Sequence, residues 1–97
     1  MSFLPIFLNL TDRPCLVVGG GPVAARKIRQ LQKAGGKVTV VAPALCAELA
    51  AMHDGDTISH VVGNFAEHHL EGMALVIAAT DSEDVNRQVS DLAKSLP

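Results

Sequence analysis

Residues 15–27 read CLVVGGGPVAARK, three consecutive glycines set between an apolar run and a basic segment. The apolar run over residues 14–18 has the composition of a buried strand. After Pro22, apolar residues fall at Ala24, Ile28 and Leu31, which is helical spacing. Gly19-x-Gly21-x-x-Ala24 thus lies between a strand and a helix, the context in which GxGxxG/A cradles a pyrophosphate. In that reading Gly19 permits the tight turn, Gly21 lets an anion reach the backbone, and Ala24 lets the helix pack closely on the sheet. Pro22 falls at the first helical position, where its fixed φ suits the helix and its missing N–H would have no intrahelical partner. Gly20, Gly21 and Val23 are left to supply the amide donors at the positive end of the helix. The competing reading is a glycine-rich turn without a ligand, and the strand-turn-helix context weighs against it.

Working outward, Gly35-Gly36 stops the helix of residues 22–34. Residues 37–41 (KVTVV) form a β-branched strand that Ala42-Pro43 ends, and residues 44–52 form an Ala/Leu helix closed by Asp54-Gly55-Asp56. Residues 57–62 (TISHVV) alternate and carry polar side chains, as an edge strand does. Gly63-Asn64 turns the chain, and residues 65–70 make one or two helical turns. A fourth, nearly all-apolar strand spans residues 73–79 (MALVIAA). Thr80-Asp81-Ser82-Glu83 has the form of a capping box, and Val85, Val89, Leu92 and Leu96 mark an amphipathic helix.

This alternation predicts an α/β fold, a Rossmann-like doubly wound parallel sheet of four strands in the order 3-2-1-4. The second half of such a fold stops after one strand, so the fourth strand is expected as an exposed apolar edge. Residues 1–97 are therefore expected to form one domain, C-terminally truncated, the N-terminal part of a larger module.

Composition narrows the class. With 48% hydrophobic and 19% charged residues the chain is globular, and its three aromatic residues are all phenylalanine, so the core is built from Val, Leu, Ile and Ala. A net charge of −2 and the absence of Trp and Tyr argue against nucleic acid as a partner. The apolar start MSFLPIFLNL lacks a basic lead and is broken by Pro5 and Asn9, and no run approaches a membrane span. Cys15 and Cys46 stand outside any CxxC arrangement and read as free thiols in a reducing compartment, so the expected location is the cytoplasm.

Ligands of such folds gather at the carboxyl edge of the strands. Where the second strand ends, many dinucleotide sites carry an acid for the ribose hydroxyls, but here stand Ala42-Pro43-Ala44. No arginine stands there for a 2′-phosphate, so this point favours neither NAD nor NADP. The backbone of Pro43 and Ala44 is left to wall the adenosine end. Thr80 and Asp81 follow the fourth strand on the same edge, where they cap the last helix and reach a ribose.

LPIFLNLTDRPCLVVGGGPVAARK, then VTVVAP, then LVIAATDSEDVN are similar to the dehydrogenase/chelatase module of siroheme synthase, and the similarity covers essentially the whole chain. The resemblance implies an NAD-binding unit of an enzyme that oxidises precorrin-2 to sirohydrochlorin and inserts ferrous iron to give siroheme. It implies a homodimer at full length. It places Gly19, Gly20, Gly21, Pro22 and Val23 on the pyrophosphate side of NAD, Pro43 and Ala44 beside the adenosine, and Thr80 and Asp81 near the ribose. The family's general-base aspartate matches no aspartate of this sequence, so no catalytic residue is assigned. The 97 residues alone are expected to bind NAD with little or no turnover. The alternative is a regulatory nucleotide-binding domain of the potassium-transport type, which shares a glycine loop and a VIAATD-like strand. That type keeps an acid after the second strand and lacks the LPIFLNL lead-in.

Other chemistry-bearing residues point to no site of their own. Adjacent His68 and His69 are expected to project in different directions from a helix, His53 lies near a turn and His60 in an edge strand, and no metal site is assigned. Arg26 and Lys27 read as solvated. Cys15 reads as core and Cys46 as an inert thiol opening a helix.

Overall fold

The computed structural model describes residues 9–94, so the start MSFLPIFL and the expected helix position Leu96 lie outside the described residues. The elements run β1 (Pro14–Val18), α1 (Pro22–Lys33), β2 (Lys37–Ala42), α2 (Ala47–Asp54), β3 (Ser59–Val62), a 3-10 helix (Glu67–Leu70), β4 (Leu75–Ala78) and α3 (Glu83–Lys94). The strands form one sheet in the order β3-β2-β1-β4, and every pairing is parallel. The predicted 3-2-1-4 winding is therefore the observed one.

Strand alternation divides the core between the two faces. Cys15, Val17, Val38 and Val40 point to one side and are covered by Ile28 and Leu31 of α1 and Leu49 of α2. Leu16, Val18 and Val41 point to the other side, against Leu70 of the 3-10 helix and Val89 of α3. The central position of β1 explains its unbroken apolar run, since Cys15 through Val18 are all buried. β3 sits at one edge with Val61 and Val62 exposed, as its mixed composition predicts. β4 sits at the other edge, half-buried along its length.

Several boundaries differ from the sequence reading, each for a visible reason. β2 includes Ala42, whose carbonyl accepts from the Gly63 N–H at 3.2 Å. α2 begins at Ala47 rather than at residue 44, because the Cys46 N–H is tied to the Gly20 carbonyl at 2.7 Å and Cys46 is extended as the N-cap. β3 begins at Ser59 because the N–H and hydroxyl of Thr57 both bond the Met52 carbonyl at 2.9 Å, hooking the chain onto the end of α2. The expected capping box at Thr80 is not formed. α3 starts at Glu83, and it is Ser82 whose hydroxyl accepts the Val85 N–H at 3.2 Å.

Cys15 is fully buried, and its thiol lies 3.5 Å from the Arg13 carbonyl. Burial raises its pKa, opposed by the Arg13 charge, so this sulfur is a poor thiolate. Both cysteines are free thiols. Among the described residues no helix is long and apolar enough to cross a membrane.

His68 and His69 do not diverge as expected: in the tight 3-10 helix their ring centroids are 4.2 Å apart. His69 Nδ1 accepts the Ala66 N–H at 2.9 Å, closing the start of that helix. Burial, followed by repulsion from His68, lowers the pKa of His69. The folded chain thus favours the neutral ring, so this cap stabilises at pH above the ordinary histidine value of about 6.5 and is lost as pH falls through the lowered one. The protection factor of the Ala66 amide against hydrogen exchange should therefore fall once pH drops well below the ordinary histidine value of about 6.5. In His69→Ala the protection factor of this amide should be low at every pH, with no such step.

Candidate functional site

The carboxyl ends of β1, β2 and β4 open into a single crevice, a cavity of about 860 Å³. That is within the range of roughly 300–1,000 Å³ usual for small-molecule sites. All nine residues singled out from the sequence line it: Gly19 to Val23 at the centre, Pro43 and Ala44 beyond β2, and Thr80 and Asp81 beyond β4.

The three glycines perform different tasks. Gly19 adopts φ +129°, a conformation closed to ordinary side chains, and a Cβ there would lie 2.7 Å from the Ala79 carbonyl carbon. Gly20 packs against the β2–α2 loop: a Cβ would overlap the Ala44 carbonyl oxygen and lie 2.9 Å from the Ala42 Cβ. Gly21 is the reverse case. It is extended, at φ −99° and ψ −169°, and a Cβ on it would meet nothing within 4 Å. The space over Gly21 belongs to the crevice.

Gly21 is also the N-cap of α1, with no side chain capping the helix and with Pro22 in its first turn. Among the described residues the N–H groups of Gly20 and Gly21 have no backbone partner, and the Val23 N–H lies in the first turn, where intrahelical partners do not exist. Bare donors, the positive helix end and the room over Gly21 together form an anion cradle. Ala24 and Ala25 are fully buried beneath it, which brings α1 close to the sheet.

Charge is nearly absent from the crevice. Asp81 is the one charged residue lining it among the described residues, and no Lys, Arg or His does so. Arg26 is exposed and Lys27 half-buried, and neither reaches the cavity. Arg29 is committed elsewhere, paired with Glu48 between α1 and α2. His60 is held by its Nε2, 2.9 Å from the Ala42 carbonyl, and its ring meets that of His53 edge-on at 5.8 Å. Among the described residues no three His, Cys, Asp or Glu side chains gather as a metal site.

The crevice has walls that sequence reasoning did not assign. Leu45 and Cys46 extend the side beyond β2, Asn64 and Phe65 arrive after β3, and Val85 and Gln88 come from the first turns of α3. Only the turn signal Gly63-Asn64 gave a hint, since φ +136° at Gly63 throws the chain back over the sheet edge.

Parallel strands wound in this order, with a glycine cradle at the first strand-helix junction, define a dinucleotide-binding domain. The chain belongs to the family described as "Putative NAD(P)-binding", which matches residues 6–97. It is 56% identical over 92 residues to a siroheme synthase of Thioalkalivibrio sulfidiphilus, covering 95% of this chain and 19% of that protein. It is 52% identical over 95 residues to a siroheme synthase of Methylobacillus flagellatus, covering 98% of this chain and 20% of that protein. Among solved structures, SirC, a precorrin-2 dehydrogenase, superposes with a TM-score of 0.84 at 31% identity, over 91% of this chain and 44% of that one. The chain thus spans about a fifth of the length of these siroheme synthases. The similarity to siroheme synthase carried by the sequence motifs is borne out.

The glycine geometry separates folding from binding. Gly20→Ala should lower stability by about 1–3 kcal/mol, because backbone must move to admit the methyl group. Gly21→Ala should change stability by less than about 1 kcal/mol, because its extended backbone suits alanine while alanine is a poorer N-cap than glycine. Thermal unfolding of the two variants beside the unaltered protein checks this order.

Proposed function

We propose that this chain is the NAD-binding part of a precorrin-2 dehydrogenase and sirohydrochlorin ferrochelatase, acting in the cytoplasm in siroheme biosynthesis. The observation that carries the proposal is the open cradle over Gly21, with amide donors on Gly20, Gly21 and Val23. The similarity to siroheme synthases and to a precorrin-2 dehydrogenase supports the oxidation half of this reading.

In this reading the amides of Gly20, Gly21 and Val23 hold the diphosphate, and Pro22 shapes the first turn of α1. Pro43 and Ala44 wall the adenosine above β2, and Thr80 and Asp81 meet the second ribose above β4. When bound, NAD supplies the hydride acceptor for oxidation of the tetrapyrrole. The chain's own part is to bind and orient: the apolar walls of the crevice exclude water and the backbone donors fix the diphosphate. Precorrin-2, sirohydrochlorin and ferrous iron are the substrates of the intact protein, which we take to be a homodimer.

The cavity chemistry favours NAD over NADP. A 2′-phosphate would bring nearly two negative charges to a wall of Pro43 and Ala44, in a crevice whose one charged side chain is acidic. Calorimetric titration of the intact protein should show NAD binding at least about tenfold more tightly than NADP, or about 1.4 kcal/mol. Tight ATP binding with no response to NAD would overturn the proposal.

Gly21→Ala supplies a second check. Its methyl group enters the cradle without disturbing the fold, so NAD affinity and NADH production from precorrin-2 should both fall by about tenfold or more while the melting temperature holds.

A further inference from the structure

We infer that Asn86 is a positioning residue for the half of the crevice that receives the second ribose, an inference that rests on the dinucleotide reading above. Asn86 lies one turn into α3 and does not line the cavity, whereas its neighbour Val85 does. Its carboxamide reaches back to Thr80. Asn86 Oδ1 accepts the Thr80 N–H at 3.0 Å and the Thr80 hydroxyl at 2.7 Å, and its Nδ2 donates to the Thr80 carbonyl at 3.0 Å. The orientation of the amide is fixed by its partners, because a backbone N–H only donates and a carbonyl only accepts. The Asn86 N–H itself bonds the Ser82 carbonyl at 3.0 Å, so the side chain is anchored on a formed helical turn.

All polar groups of Thr80 are thereby engaged. The one hydroxyl proton faces two acceptors, Asn86 Oδ1 at 2.7 Å and the Ser82 carbonyl at 3.0 Å, of which Asn86 is the nearer, and the hydroxyl oxygen accepts the Ser82 N–H at 3.2 Å. Asparagine is suited to this clamp because it offers an acceptor and a donor side by side. Aspartate keeps the acceptor but turns a second oxygen toward the Thr80 carbonyl, and alanine keeps neither. The clamp fixes the direction in which Asp81 leaves β4, and with it the wall of the crevice on that side.

Which part of the ligand feels this follows from strand order. β2 and β4 flank β1 on opposite sides, each about 4.8 Å away. With a diphosphate over Gly21, one nucleoside lies above β2 beside Pro43 and Ala44, and the other above β4 beside Thr80 and Asp81. ADP fills the first half and the cradle, and only the whole dinucleotide reaches the half that Asn86 holds.

The test compares NAD and ADP by calorimetry on the intact protein and its Asn86→Ala and Asn86→Asp variants. Asn86→Ala should weaken NAD by about tenfold and ADP by less than about twofold, with Asn86→Asp intermediate for NAD. If Asn86→Ala does not fold, Asn86→Asp carries the same comparison. Equal losses for both ligands would reduce Asn86 to general support of the fold and overturn the inference, as would unchanged NAD affinity. An unaltered protein that binds ADP but not NAD overturns the dinucleotide reading itself, a result distinct from either.

Discussion

Three loops meet at the crest of the sheet with almost no side-chain volume between them, and the site depends on that approach. Gly19 lies against the Ala79 carbonyl and Gly20 against the Ala44 carbonyl, each with less space than a methyl group needs. Hydrogen bonds knit the same junctions: Gly19 N–H to Val41, Cys46 N–H to Gly20 and Ala79 N–H to Val18, at 3.0, 2.7 and 2.8 Å. The glycine loop is thus wedged between the loops that follow β2 and β4. Its geometry is set by backbone contacts on both sides, and the first turn of α1 inherits that geometry. The floor of the crevice is therefore main chain, and its width is that of three adjacent parallel strands.

The sequence exposes this arrangement unevenly. Element order and sheet order were legible because β1 is a continuous apolar run, β3 is mixed, and α1 and α3 carry helical periodicity. Gly19 and Gly21 were legible because the motif assigns each a task. The packing task of Gly20 was not, since its tightest neighbour, Ala44, is 24 residues away and the contact exists only once β2 has paired beside β1. The same long-range tie misplaced the start of α2: local composition favours a helix from residue 44, but the bond between Cys46 and Gly20 holds the chain out of the helix until Ala47. At α3 the error was of another kind. Thr80 and Ser82 both suit an N-cap by residue type, and Thr80 is withdrawn from that role because Asn86 holds it.

The electrostatics of the crevice follow from the same construction. A diphosphate is commonly held by lysine or arginine, whose long side chains are mobile and equally receptive to other anions. Here no cationic side chain lines the cavity among the described residues, and the positive potential comes from amide groups at the start of α1. Amides fixed by the fold neither rearrange nor titrate, and their direction selects an anion by position as well as by charge. Pro22 removes one donor from this set, yet it also fixes φ at the first helical residue, so the remaining donors keep their direction. Asp81 on the far side adds a negative charge beyond the cradle. The crevice thus offers an anion one favourable place, over Gly21, and in the proposed reading the two nucleosides of a dinucleotide take their positions from the diphosphate held there.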